Sequence, residues 1–180
     1  MKTAQTLALL GALLVMTASL SAQNVPSAPP GPPPAPRPLP PESRQFDFWI
    51  GEWDVTTPDG KPAGSSKIEL IANRAGLLEN WTGKGGYTGK SLNAYNAARK
   101  QWQQYWVGTG GGVLELAGGL VDGNMVLMGE HDVGGKPTVE KITWTPNADG
   151  SVRQHWEQST DGGKTWTDAF DGLYRRKKEG

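Results

Sequence analysis

Beyond Pro41 the chain alternates hydrophobic and polar residues in short runs, and no stretch holds an apolar period of about 3.6 residues. The runs are rich in Trp, Thr, Val and Ile, as strands are. Strands are expected at Trp49–Thr56, Ser66–Asn73, Gly76–Thr82, Gly89–Tyr95 and Gln101–Gly108. Five more follow at Gly112–Ala117, Asn124–His131, Thr138–Thr145, Ser151–Gln158 and Thr165–Tyr174. Between them stand Pro58-Asp59-Gly60, Gly83 to Gly86, Gly110 to Gly112, Asp122-Gly123, Gly134-Gly135, Asp149-Gly150 and Asp161 to Gly163. Asp-Gly and Gly-Gly pairs supply the positive φ that tight hairpins require. The pattern predicts an all-β domain, an antiparallel up-and-down barrel of about eight to ten strands, because closure removes exposed strand edges. An open sandwich is the competing architecture.

The residues before this domain read differently. Met1-Lys2, an apolar run from Leu7 to Val15, and the small residues Ala18, Ser19, Ser21 and Ala22 form the layout of a secretory signal over 1–22. The apolar run is shorter than the roughly 20 residues a membrane span needs. Export to the periplasm or the exterior is expected, with no integral membrane span. Residues 23–45 read as a disordered, proline-rich linker, since proline fixes φ and removes backbone donors. The barrel domain is expected over 46–176 and a basic tail over 177–180.

Composition narrows the function classes. The 18 basic and 18 acidic residues cancel, which gives no electrostatic basis for nucleic-acid binding. The chain has no cysteine, so no disulfide staples the domain and no thiolate is available to a metal. Sequence leaves the oligomeric state open.

The densest motif is Phe46-Asp47-Phe48-Trp49-Ile50-Gly51-Glu52-Trp53-Asp54-Val55. Its Gly51-x-Trp53 step resembles the signature of the calycins, the lipocalin and fatty-acid-binding group of barrels. The resemblance implies that Trp53 packs across one end against a basic residue of the last strand, here Arg175 or Arg176. The longer run is similar to a group of exported bacterial proteins of unknown function with calycin-like barrels. That likeness extends over Gly89 to Asn93, Gln103 to Val107 and Arg153 to Glu157, and implies a fold without an established chemistry. A more distant likeness to nitrobindin, a ten-stranded haem barrel, rests on strand number and the first-strand Trp.

Candidate chemistry is sparse. Ser159 to Trp166 fits the Asp-box pattern, in which Asp161 holds a hairpin turn and Trp166 packs beneath it. A single copy staples a turn and does not build a propeller. If Tyr95 pairs with Trp102, then Asn93 faces Gln104 and Ser91 faces Trp106. One face would then carry aromatic walls and amides, as a small-ligand pocket does. The candidate binding residues are Asn93, Tyr95, Trp102, Gln104, Trp106 and His155, and whether that face is the interior or the outer wall stays open. No cofactor is expected; haem ligated by His155 or His131 is the alternative. Glu115 and Glu130 are an alternative acid–base pair across the Asp122-Gly123 hairpin. The reading is an exported, non-catalytic barrel for a small, partly apolar ligand. Its alternatives are a haem-dependent or acid–base enzyme, and an envelope module that binds protein or glycan through surface aromatics.

Overall fold

A computed structural model describes residues 38–178. The expected signal segment and the greater part of the proline-rich stretch lie outside the described residues. Ten strands follow in order: β1 Gly51–Thr56, β2 Pro62–Ile71, β3 Gly76–Gly83, β4 Thr88–Asn96 and β5 Gln101–Gly108. The rest are β6 Val113–Val121, β7 Asn124–Val133, β8 Lys136–Pro146, β9 Val152–Ser159 and β10 Thr167–Arg176. Each pairs antiparallel with its sequence neighbours, and β1 closes on β10 through Trp53 opposite Arg176 and Val55 opposite Tyr174. The up-and-down barrel is closed, so the sandwich alternative falls and the count is ten. This architecture is consistent with a calycin-like fold.

Alternation decides the inside. On β1, Trp53 and Val55 are buried between exposed Glu52 and Asp54. The core gathers Trp53, Ile68, Leu77, Trp102, Leu116, Met125, Leu127, Ile142, Trp144, Val152 and Tyr174.

The segment before β1 differs from the expected strand start at Trp49. Pro41–Arg44 and Asp47–Trp49 are two short 3₁₀ turns that plug one end of the barrel. Pro41 occupies the first helical position, where its missing N–H costs nothing. Phe46 stacks on Trp49 at 4.9 Å and meets Trp102 and Trp144 edge-on at 5.6 and 5.1 Å. Ser43 is buried and Gln45 Oε1 accepts a 3.3 Å hydrogen bond from Trp102 Nε1. The linker boundary at 45 is therefore corrected: residues from Pro41 onward belong to the domain, because the plug's aromatics bring them down onto the barrel end.

The calycin-like end closure takes a definite form. Trp53 Nε1 donates to the Trp49 carbonyl at 2.9 Å, and the Arg176 guanidinium lies 4.6 Å from the Trp53 ring centroid. Arg176 also donates to the Ile50 carbonyl at 3.1 Å. These two contacts make Arg176, not Arg175, the partner. Gly51 has φ of 142°, and a Cβ there would collide with the Arg176 guanidinium. Both facts explain the glycine of the Gly-x-Trp step.

Candidate functional site

The end opposite the plug holds a cavity of about 190 Å³. Its walls are Trp81 of β3, Tyr87 of the following loop, Trp106 of β5, Trp156 of β9, and Phe170 and Tyr174 of β10. Tyr174 forms the floor, touching Trp53 and Trp49 of the plug at 6.3 Å and Trp81 at 6.2 Å. Phe170 meets Trp81 edge-on at 5.7 Å. Space for these rings comes from missing side chains. Trp106 lies against Gly89, and the Tyr87 hydroxyl against Gly108, where no Cβ fits.

Polarity is inverted along one wall. Ser91 and Asn93 of β4 and Gln104 of β5 point inward and are buried, while Leu92 and Tyr105 point outward at 50% and 47% exposure. A strand pair that hides amides and displays apolar side chains works against folding. Such local conflicts are where function is expected.

The buried polar groups form one directed chain. Gln104 Nε2 donates to Asn93 Oδ1 at 2.7 Å, and Asn93 Nδ2 donates to Ser91 Oγ at 2.9 Å. Ser91 Oγ donates to Glu79 Oε2 at 2.9 Å, and Ser66 Oγ donates to Glu79 Oε1 at 3.1 Å. Glu79 on β3 is only 4% exposed and lines the cavity. Burial pushes its carboxyl up to about 7, against the pull of the two serine hydroxyls. Burial raises the Tyr174 phenol well above its ordinary range, and Glu79 adds to that. The phenol donates to Gln154 Oε1.

A second buried carboxyl, Glu140 of β8, supports the wall. Trp156 Nε1 and Gln158 Nε2 donate to it, the latter at 2.9 Å, and His131 Nε2 lies 3.4 Å from Oε1. Glu140 thereby holds the orientation of Trp156.

The residues expected from the sequence divide by height in the barrel. The β4–β5 register is as anticipated: Tyr95 opposite Trp102, Asn93 opposite Gln104, Ser91 opposite Trp106. The face is the interior. Trp106 and Gln104 line the cavity, and Asn93 sits behind them in the hydrogen-bond chain. Trp102 and Tyr95 pack together at 6.2 Å at the plugged end. Strand rise explains the split, since Trp102 and Trp106 are about 13 Å apart along β5.

His155 is corrected to the outer face. Its Nε2 is 2.8 Å from Asp168 Oδ1, beside the Arg153–Asp171 and Lys141–Glu157 pairs. Period-two alternation turns it outward because Trp156 turns in. No histidine is among the residues that line the cavity. Glu115 and Glu130 are both exposed on the outer wall, and the β6–β7 ladder stops short of them at Ala117 opposite Met128. Neither lines the cavity; the carboxyl that does is Glu79, which burial pushes up to about 7.

Sequence reasoning missed Glu79, although an acidic residue between Leu77 and Trp81 at period two was its signal. The Asp-box behaves as a turn staple. Asp161 Oδ1 accepts from the backbone N–H groups of Lys164 and Thr165 at 2.9 Å, and Oδ2 accepts from Thr165 Oγ1 at 2.7 Å. These bonds hold its carboxyl down at about 2. Lys141 Nζ sits 4.2 Å from the Trp166 ring centroid.

The barrel is of a kind compatible with ligand binding. In sequence the chain matches no protein-family model, and no curated protein is similar to it.

Proposed function

We propose that this protein is an exported, non-catalytic β-barrel that binds a small, partly apolar ligand at its open end. The observation that carries the reading is the cavity itself: aromatic rings on several strands beside a buried, hydrogen-bonded polar wall, with the opposite end plugged. A volume of about 190 Å³ favours a ligand smaller than those held in pockets of about 300–1,000 Å³. Export rests on the signal-like residues 1–22, and a periplasmic or extracellular setting follows from it. Nothing in the charge balance favours nucleic acid.

The test is native mass spectrometry of the purified chain, with an absorption spectrum and tryptophan fluorescence against a panel of small amines, alcohols and acids. The expected result is a reproducible added mass lost on denaturation, or a saturable fluorescence change. A clean apo mass together with no response to any panel member would overturn the reading. A second reading, an interaction module of the envelope, is favoured by the outward Leu92 and Tyr105 of the adjacent strands β4 and β5, which line one outer groove with Met128 of β7.

A further inference from the structure

We propose that the cavity is selective for a small organic cation, an amine or quaternary ammonium with apolar substituents, with Glu79 as counter-ion and the aromatic walls as its cage. This deepens the ligand-binding reading and rests on it.

The lining residues include one acidic side chain, Glu79, and no Lys, Arg or His. Other carboxylates of the barrel have basic neighbours: Glu69 has Lys67, Glu157 has Lys141, Asp171 has Arg153 and Glu140 has His131. Glu79 is buried more deeply than most of these, yet among the described residues no basic group lies within ion-pair distance. Its partners are two neutral hydroxyls. A buried charge without a counter-charge is expensive, so the site either keeps a proton or receives a cation.

The hydrogen-bond chain favours the second outcome. Every donor from Gln104 through Asn93 to Ser91 points toward the Glu79 carboxyl, as does Ser66. Donors converging on both oxygens stabilise a carboxylate and are poorly used by a neutral acid. An anionic ligand would meet that carboxylate in a low-dielectric space. A cation would meet it together with the rings of Trp81, Trp106, Trp156, Phe170 and Tyr87, whose faces attract cations through their quadrupoles. Size agrees, because about 190 Å³ accommodates a trimethylammonium head with a short substituent.

Binding of a permanent cation should remove the proton that burial keeps on Glu79 up to about pH 7. The other titratable groups facing the cavity are the Tyr174 and Tyr87 phenols. On the neighbouring strands, Lys67 and Glu69 of β2 pair with each other outside, and Lys90 of β4 reaches outward to Asn80. Glu140 and His131 adjoin the cavity only through Trp156.

The probes are choline and its uncharged carbon isostere 3,3-dimethylbutan-1-ol, titrated calorimetrically into the purified full-length chain. Choline should bind at least about tenfold more tightly than the isostere, and its Kd should rise by about tenfold per pH unit below about pH 7. In Glu79→Gln the preference and the pH dependence should both vanish while isostere binding persists. If that variant does not fold, Trp106→Leu keeps the counter-ion and should weaken choline more than the isostere. Equal or tighter binding of the isostere to the native chain overturns the cation assignment and leaves the barrel a neutral-ligand binder. If neither probe binds but a copurified mass or another panel member does, the cation assignment alone falls. If nothing binds, both readings fall.

Discussion

Glu79→Gln should make the protein more stable in mild alkali and slightly less stable in acid. The carboxyl ionises near its ordinary value of 4.5 in the unfolded chain and only at about 7 when folded. Between those values the unfolded state binds fewer protons than the folded one, so native stability falls as pH rises. Above the folded value the loss is complete. At about 1.4 kcal/mol per pH unit, the interval from 4.5 to about 7 removes about 3 kcal/mol. Glutamine does not titrate, but it leaves the two serines to share one acceptor oxygen, a mismatch of about 1 kcal/mol. The variant should therefore trail the native protein by about 1 kcal/mol near pH 4 and lead it by about 2 kcal/mol near pH 8. Urea unfolding across that range measures the difference, in which the other ionisable groups cancel. A difference that stays constant with pH within about 0.5 kcal/mol would refute the argument, because it would mean Glu79 ionises alike in both states.

Three further outcomes are expected. Trp53→Ala should lower stability by about 3–5 kcal/mol in urea unfolding, whereas Arg176→Ala, which removes only the ring contact and a carbonyl bond, should cost about 1 kcal/mol. Gly89→Ala should displace Trp106, destabilise by about 1–3 kcal/mol, and abolish the fluorescence response to any ligand of the cavity. Asp161→Ala should lower Tm at neutral pH. Asp161 titrates at about 2 when folded rather than at 3.8, so its contribution is present above the higher value. The Tm gap should close as the solution is acidified toward the lower one, and a gap independent of pH would count against the staple.

The ten strands were legible because alternation and hairpin chemistry are local. Gln101–Gly108 was bounded as it stands, and the short connection after Asn96 set the β4–β5 register that pairs Tyr95 with Trp102. The Gly51, Trp53 and Arg176 closure was legible up to the choice between two adjacent arginines. The plug was not. Phe46 to Trp49 carries the aromatic content of a strand, and only the open barrel end, offering Trp102 and Trp144 to cover, makes two 3₁₀ turns the better burial.

The sequence by itself determined the elements, their order and their pairing, since each depends on residues close together in the chain. Closure decided the rest. Which face is interior, and the height at which each inward side chain sits, follow from the stagger of ten strands around one axis. Strand rise separates Trp102 at the plug from Trp106 at the mouth although both share a strand and a face. The stagger decides which residues of other strands meet each of them. It sets Glu79 among aromatic rings contributed by β3, β5, β9 and β10. The burial that gives this carboxyl its charge balance exists only once those strands have met.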